Sequence, residues 1–186
     1  QNFLKVMFST DGPDDGGKHP NALGNHLGIW DFYYLYNNNN QTLKLYYQHF
    51  FEDTSSLRFR NEIDGLWGIE LENYIPNTNI LFEYLDTSNA YLNPPYQGDR
   101  YYWNYQYRLG WTYNGNILGN PFVNANRTDD TNYLKFKELT KLIHIGIEGE
   151  ISSNYYKVKA SRRINKKDDV RYKAIIGKKL KNNLDL

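Results

Sequence analysis

Residues 30–51 read WDFYYLYNNNNQTLKLYYQHFF, and the fold turns on whether this stretch is helical or extended. Trp30, Phe32 and Tyr34 fall on one parity, with Asp31 and Tyr33 on the other. After four asparagines, Leu43, Leu45 and Tyr47 alternate with Lys44 and Tyr46. A period of two is the spacing of a β-strand. Asparagine tolerates the left-handed backbone that a tight connection needs. The stretch therefore predicts a hairpin, with Asn38-Asn39 as its turn and the two apolar sets on one face.

That choice decides the chemistry available at the end of the second strand. His49, Glu52 and Asp53 would converge on one face of a helix. On a strand Glu52 points away, and His49 and Asp53 lie about 13 Å apart. The trio then reads as a rim element rather than a metal or catalytic cluster. His49 shares the face of Leu43, Leu45 and Tyr47 and is expected at an interface, where a ring with one polar edge is at home.

The same alternation recurs at Leu66–Glu72, Asn79–Thr87, Leu142–Ile151, Tyr155–Arg163 and Arg171–Leu180, with a further candidate at Phe3–Phe8. Only Lys135–Lys141 is open to a short helical turn. The connections alternate in length. They are long after Phe8, Phe51 and Thr87, and short at NNNN, at IPNT and after Ile151. Long and short in turn is the rhythm of an up-and-down membrane barrel. A soluble antiparallel sandwich, the bland alternative, has the same strands but need not alternate its loops.

Register separates the faces. A Ser153-Asn154 turn would set Glu148 against Lys159, Glu150 against Lys157 and Ile147 against Ala160. Across IPNT, Trp67, Ile69 and Leu71 go with Ile80, Phe82 and Tyr84, leaving Glu70 opposite Glu83. One face is apolar and rich in aromatics, as interfacial girdles are. The other carries Glu70, Glu83, Glu148, Glu150, Lys157 and Lys159, which suits a wet lumen. The expectation is an all-β, antiparallel, up-and-down transmembrane β-barrel of about eight strands, a single domain over residues 1–186.

Composition agrees. Eighteen Tyr, nine Phe and four Trp make 17% of the chain, yet mean hydropathy is −0.78. That combination fits strands with two unlike faces. No apolar run has the length of a membrane helix. There is no cysteine, so disulfides and thiolate metal sites are excluded. The net charge is +1, but half of the Lys and Arg fall between Lys157 and Lys181, opposed only by Asp168 and Asp169.

Five blocks carry a resemblance. LYYQHFFED (45–53), DGLWGIELE (64–72), ILFEYLDTSN (80–89), GWTYNGNILGNPF (110–122) and HIGIEGE (144–150) together resemble the capsule-assembly Wzi family of outer-membrane proteins. The resemblance implies a large barrel enclosing a small helical bundle, located in the bacterial outer membrane. It implies a lectin-like role in holding capsular polysaccharide, with no catalysis and no cofactor. The chain corresponds to the later, C-terminal part of that barrel. It starts without an initiator Met and ends in KKLKNNLDL without a terminal aromatic residue, so a fragment is expected; a complete eight-stranded barrel is the geometric alternative.

Individual residues fit or strain this reading. Glu70 and Glu83 could form a glycosidase pair, but a lumen network with Lys44 or Arg108 explains opposed carboxylates without catalysis. His144 faces the same side without a serine or cysteine nucleophile at a telling spacing. Asp99, Arg100, Tyr101, Trp103, Tyr105 and Tyr107 are the polysaccharide-binding candidates, because rings meet sugar faces while Asp and Arg meet hydroxyls. The competing role for those rings is to pin the long loop at the barrel mouth. Arg162, Arg163, Lys166 and Lys167 are candidates for contact with anionic glycan or with the phosphates of outer-membrane lipid and lipopolysaccharide. No nucleic-acid motif accompanies them. Gly115–Gly119 is turn chemistry rather than a phosphate cradle. A channel or porin-like barrel and a soluble polysaccharide-active enzyme are the alternative functions.

Overall fold

The computed structural model describes residues 28–51, 59–89, 101–102, 112–113, 116–118, 125–128, 131–136, 140–152, 154–164 and 170–178. Among these the chain is all-β. Three hairpins supply most of the sheet: β1 (Gly28–Asn38) with β2 (Gln41–Phe51), β3 (Gly65–Ile75) with β4 (Thr78–Asp86), and β9 (Lys141–Ile151) with β10 (Asn154–Arg163). β5 (Thr112–Tyr113) pairs with β6 (Asn116–Ile117), and β7 (Ala125–Thr128) with β8 (Thr131–Phe136), as separate two-stranded sheets. With β11 (Val170–Lys178), the main sheet runs β1-β2-β3-β4-β9-β10-β11. Chain order and spatial order coincide apart from the excursion through β5 to β8. This is the antiparallel up-and-down topology that the alternation predicts, and β1 and β11 stand at the two ends of the order.

Each turn is placed by one residue in left-handed backbone. Asn39 has φ 52°, Asn77 φ 55° and Ser152 φ 57°. Such angles cost least for Asn and suit two-residue hairpin turns that follow the twist of the strands. The first turn is thus Asn39-Asn40, one residue later than Asn38-Asn39. The β9–β10 turn begins at Ser152, one residue earlier than expected. Glu148 consequently stands opposite Lys157, and Ile147 opposite Val158. A displacement of two in pairing leaves every side chain on its original face, so the division of faces survives the correction.

Two other expectations change. Lys135 and Phe136, allowed a helical turn, belong to strand β8. The expected strand at Phe3–Phe8 lies outside the described residues. No described helix is long and apolar enough to cross a membrane, which says nothing about crossing by strands.

Burial is inverted relative to a water-soluble domain. Among the described residues the largest fully buried side chains are Arg163, His49, Thr140 and Asp64. Trp30, Phe32, Tyr34, Trp67, Ile69, Phe82, Ile147 and Val158 are all exposed. Exposure of large apolar side chains on this scale marks a surface that meets something other than water. The chain falls into two compact units. One is drawn from Gln1–Asp31, Gln48–Gly65 and Asp86–Thr140, the other from Phe32–Tyr47, Leu66–Leu85 and Lys141–Leu186.

Candidate functional site

The second unit carries a polar face built in rows across neighbouring strands. On β2, Lys44 and Tyr46 share parity, and the ammonium of Lys44 lies 4.9 Å from the centre of the Tyr46 ring. Lys44 reaches Glu70 on β3 at 3.4 Å. Tyr46 passes over Gly68, where a methyl group would collide with its ring, and donates its hydroxyl to Glu83 on β4. The Glu150 amide donates to the Asn77 carbonyl at 3.0 Å. Counting along antiparallel β4 and β9 from that pair sets Leu81 against Gly146 and Glu83 against His144. Leu81 does lie 3.4 Å from where a Gly146 Cβ would be.

His144 continues the row. Its Nδ1 shares a hydrogen bond of 2.5 Å with the Ser161 hydroxyl across the β9–β10 ladder. Further along the same ladder, Lys157 donates to Glu148. Lys159 stands opposite Gly146, where no side chain intervenes. A trough on this face is lined by Glu70, Glu72, Asn79, Leu81, Gly146 and Lys159.

Chemically, this face carries two Lys–Glu ion pairs, Lys44 with Glu70 and Lys157 with Glu148. Glu70 takes Lys44 as its partner, as the charge balance predicts, and Glu83 takes Tyr46. No spacing in the sequence marks a serine beside His144, because Ser161 is brought there only by cross-strand register. The contact pairs a hydroxyl with a ring nitrogen, as the first link of a nucleophilic triad does. Among the described residues, no three His, Asp or Glu side chains are grouped to hold a metal ion.

The opposite face is aromatic. Phe32 stacks on Tyr47 at 6.4 Å, and Tyr47 on Trp67 at 4.0 Å, carrying one array over three strands. Leu45, Ile69 and Phe82 complete a shallow apolar groove around it. On β9 and β10 the same face presents Ile145, Ile147 and Val158, all exposed.

The first unit holds a buried polar clasp at the ends of β2 and β3. Glu62 and Phe59 take left-handed backbone in the turn entering β3, which the Asp64 amide closes by donating to the Asn61 carbonyl. The Asp64 carboxylate accepts the Asn89 amide at 3.0 and 3.1 Å and the Tyr101 hydroxyl at 2.8 Å. Asn61 donates to Tyr101 at 2.6 Å and to the Phe50 carbonyl at 3.0 Å. Nδ1 of His49 lies 3.1 Å from the Asp64 carbonyl, which can only accept, so His49 carries its proton there. Its ring stacks on Phe59 at 4.1 Å. His49 is therefore fully buried rather than placed at an interface, because the β3-entry turn folds over it.

The clasp changes the standing of one candidate. Tyr101 is 3% exposed, so its ring anchors the segment instead of offering a face to sugar. Asp99, Arg100, Trp103, Tyr105, Tyr107, Lys166, Lys167, Glu52 and Asp53 lie outside the described residues. Arg162 is exposed, whereas its neighbour Arg163 is fully buried and cannot meet an external anion in this arrangement. Glu70, Glu83, Glu148, Lys157 and Lys159 share the polar face with the exposed Glu150. Sequence periodicity does not mark Asp64, Asn61 or Asn89. They belong to no period, and only the fold brings them together.

A family model described as capsule assembly protein Wzi matches residues 1–131. No curated protein and no solved structure matches the chain. The matched span contains four of the five resembling blocks; HIGIEGE at 144–150 lies beyond it, on β9. Most of the chain is covered, including the two aromatic hairpins and the clasp, and the chain belongs to the Wzi capsule-assembly family.

Proposed function

We propose that residues 1–186 form part of a single barrel domain in the bacterial outer membrane, which holds capsular polysaccharide at the cell surface by lectin-like binding and without catalysis. The observation that carries this reading is inverted burial in a member of a capsule-assembly family. The aromatic face is suited to lipid, since acyl chains take up the exposed Trp, Phe, Ile and Val side chains while Tyr and Trp find polar partners near headgroups. The paired charges of the other face are suited to water. Binding without catalysis is supported by Glu70 and Glu83, each already engaged by a neighbouring side chain.

Glycan contact is assigned to the segment that Tyr101 anchors, through Asp99, Arg100, Trp103, Tyr105 and Tyr107. Arg162, Lys166 and Lys167 supply a basic rim for anionic glycan or lipopolysaccharide phosphate. Trp103 is the central ring of the aromatic run and the strongest single candidate, since buried Trp residues at interfaces commonly contribute about 2 kcal/mol or more. Trp103→Ala is expected to lower the capsule retained on cells while the amount of folded barrel in the membrane stays the same. Unchanged capsule would place polysaccharide binding elsewhere on the molecule.

A further inference from the structure

We propose that the trough over Gly146 on the polar face is a saccharide subsite, which takes one neutral pyranose unit with its ring laid flat over the glycine. This inference rests on the polysaccharide-binding reading above and adds to it a contact made by the strands themselves.

Gly146 breaks a pattern that four other strand glycines keep. Phe51 lies over Gly28, Tyr46 over Gly68, Tyr156 over Gly149 and Tyr155 over Gly177, and a Cβ at any of these would collide with the ring. Over Gly146 the described chain lays no ring. Among the described residues only Leu81 comes within 4 Å of where its Cβ would be, at 3.4 and 3.7 Å. That is ordinary contact, so packing leaves room for a side chain. The backbone of Gly146 is not left-handed, and the β9–β10 register runs through it without a bulge. Glycine weakens a strand interior, and where turn, bulge and packing do not require it, it suits close approach of a ligand to the backbone.

The walls of the trough fit a sugar. It encloses about 190 Å³, below the roughly 300–1,000 Å³ of pockets for drug-sized ligands, so it takes a single ring rather than a length of glycan. Leu81 beside the bare Cα of Gly146 makes an apolar floor for the C–H face of that ring. Around the floor stand the acceptors Glu70, Glu72 and Glu148 and the donors Asn79, Lys157 and Lys159. Lys44 and Lys157 each engage one oxygen of Glu70 and Glu148. A carboxylate offers about four lone-pair sites, so both keep capacity for hydroxyls. A sugar hydroxyl donates and accepts, and a ring bearing several uses both kinds of wall. Carboxylates repel an anion and ammonium groups a cation, which selects a neutral sugar.

The full-length protein, purified in detergent, is titrated by calorimetry with oligosaccharides released by mild acid from the capsule of the same strain. Gly146→Val and Gly146→Ala are compared with wild type, and heat-modifiable mobility reads the folded barrel. Valine suits a strand, and both variants are expected to fold as wild type does. Gly146→Val is expected to weaken binding about tenfold or more, because its side chain takes the place of the ring and parts the sugar from its charged hydrogen-bond partners. Gly146→Ala is expected to weaken it a few-fold. Wild-type affinity in both variants overturns the subsite and leaves polysaccharide binding in place. Should Gly146→Val lower the folded barrel, Gly146→Ala decides, and wild-type affinity there overturns the subsite equally. Wild-type protein that binds none of the oligosaccharides sinks the binding reading itself, and the subsite with it.

Discussion

Gly68→Ala should be among the most damaging small substitutions in the sheet. An ideal Cβ at Gly68 would overlap Cζ and both Cε atoms of the Tyr46 ring. Restoring an ordinary carbon–carbon separation of about 3.5 Å requires the ring to retreat by more than about 1 Å. The hydroxyl that crosses this glycine to reach Glu83 cannot keep its bond after such a shift. A hydrogen bond to a charged acceptor contributes about 1.5–3 kcal/mol, and the half-wet face puts this one toward the lower end. Loss of the cross-strand ring contact adds roughly 0.2–1 kcal/mol. The expected loss is therefore about 2–3 kcal/mol, read as a lower urea midpoint for the barrel refolded in lipid vesicles.

The compensating variant makes the reasoning refutable. In a Tyr46→Ala background the obstacle is gone, and alanine on a strand is favoured over glycine by roughly 0.5–1 kcal/mol on backbone entropy. Gly68→Ala should then be neutral or stabilising, giving a coupling energy of about 2 kcal/mol or more between the two sites. If Gly68→Ala costs as much without the Tyr46 ring as with it, the ring is not what the glycine accommodates.

Three further predictions test the division of surfaces. Ile147→Lys, on the exposed apolar face opposite Val158, should impair insertion by about 2–4 kcal/mol, whereas Glu148→Lys beside it is tolerated better; equal loss of heat-modifiable mobility would refute the assignment. Replacing Arg162, Lys166 and Lys167 by Gln should weaken association with lipopolysaccharide and flatten its salt dependence, because exposed charges are screened within about 8–10 Å. Arg163→Gln should instead lower barrel stability, since that guanidinium is fully buried.

The sheet was legible because parity survives small errors. Alternation at 30–36, 43–48 and 142–151 assigned side chains to faces, and the hairpin turns at Asn39 and Ser152 moved the pairing by two residues without moving any residue across the sheet. Alternation alone could not choose which of several Asn or Ser residues would take the left-handed conformation. Each is acceptable on intrinsic grounds, and packing of the whole hairpin decides. The excursion between β4 and β9 was less legible. Strands as short as Thr112–Tyr113 carry no period, and Ala125–Thr128 has too few apolar residues to show one.

Least legible was the clasp. His49 has the parity of Tyr47 and Leu45, and nothing local to it announces burial. Phe59 and the Asp64 carbonyl cover it from a turn outside the strand. Asn61 and Asp64 share one turn, but Asn89 and Tyr101 lie too far from it in sequence for spacing to link them. Their association depends on the ends of β2, β3 and β4 lying side by side.

Tyrosine explains how so aromatic a chain can be hydropathically polar. On the polar face Tyr46 covers Gly68 and bonds Glu83, and Tyr155 covers its cross-strand partner Gly177. On the apolar face Tyr156 crosses Gly149 and places its hydroxyl 2.9 Å from the Thr78 hydroxyl. The same unit, a ring laid over a glycine, therefore works on both sides of one sheet. A leucine could fill the gap over the glycine but would leave Thr78 or Glu83 without that partner. A lysine could reach Glu83 but would cover the glycine poorly. Only a flat ring ending in a hydroxyl does both, so glycine and tyrosine at cross-strand positions act as one structural element. Their pairing lets strands that carry few Val or Ala residues stay closely packed while one face remains wet and the other apolar.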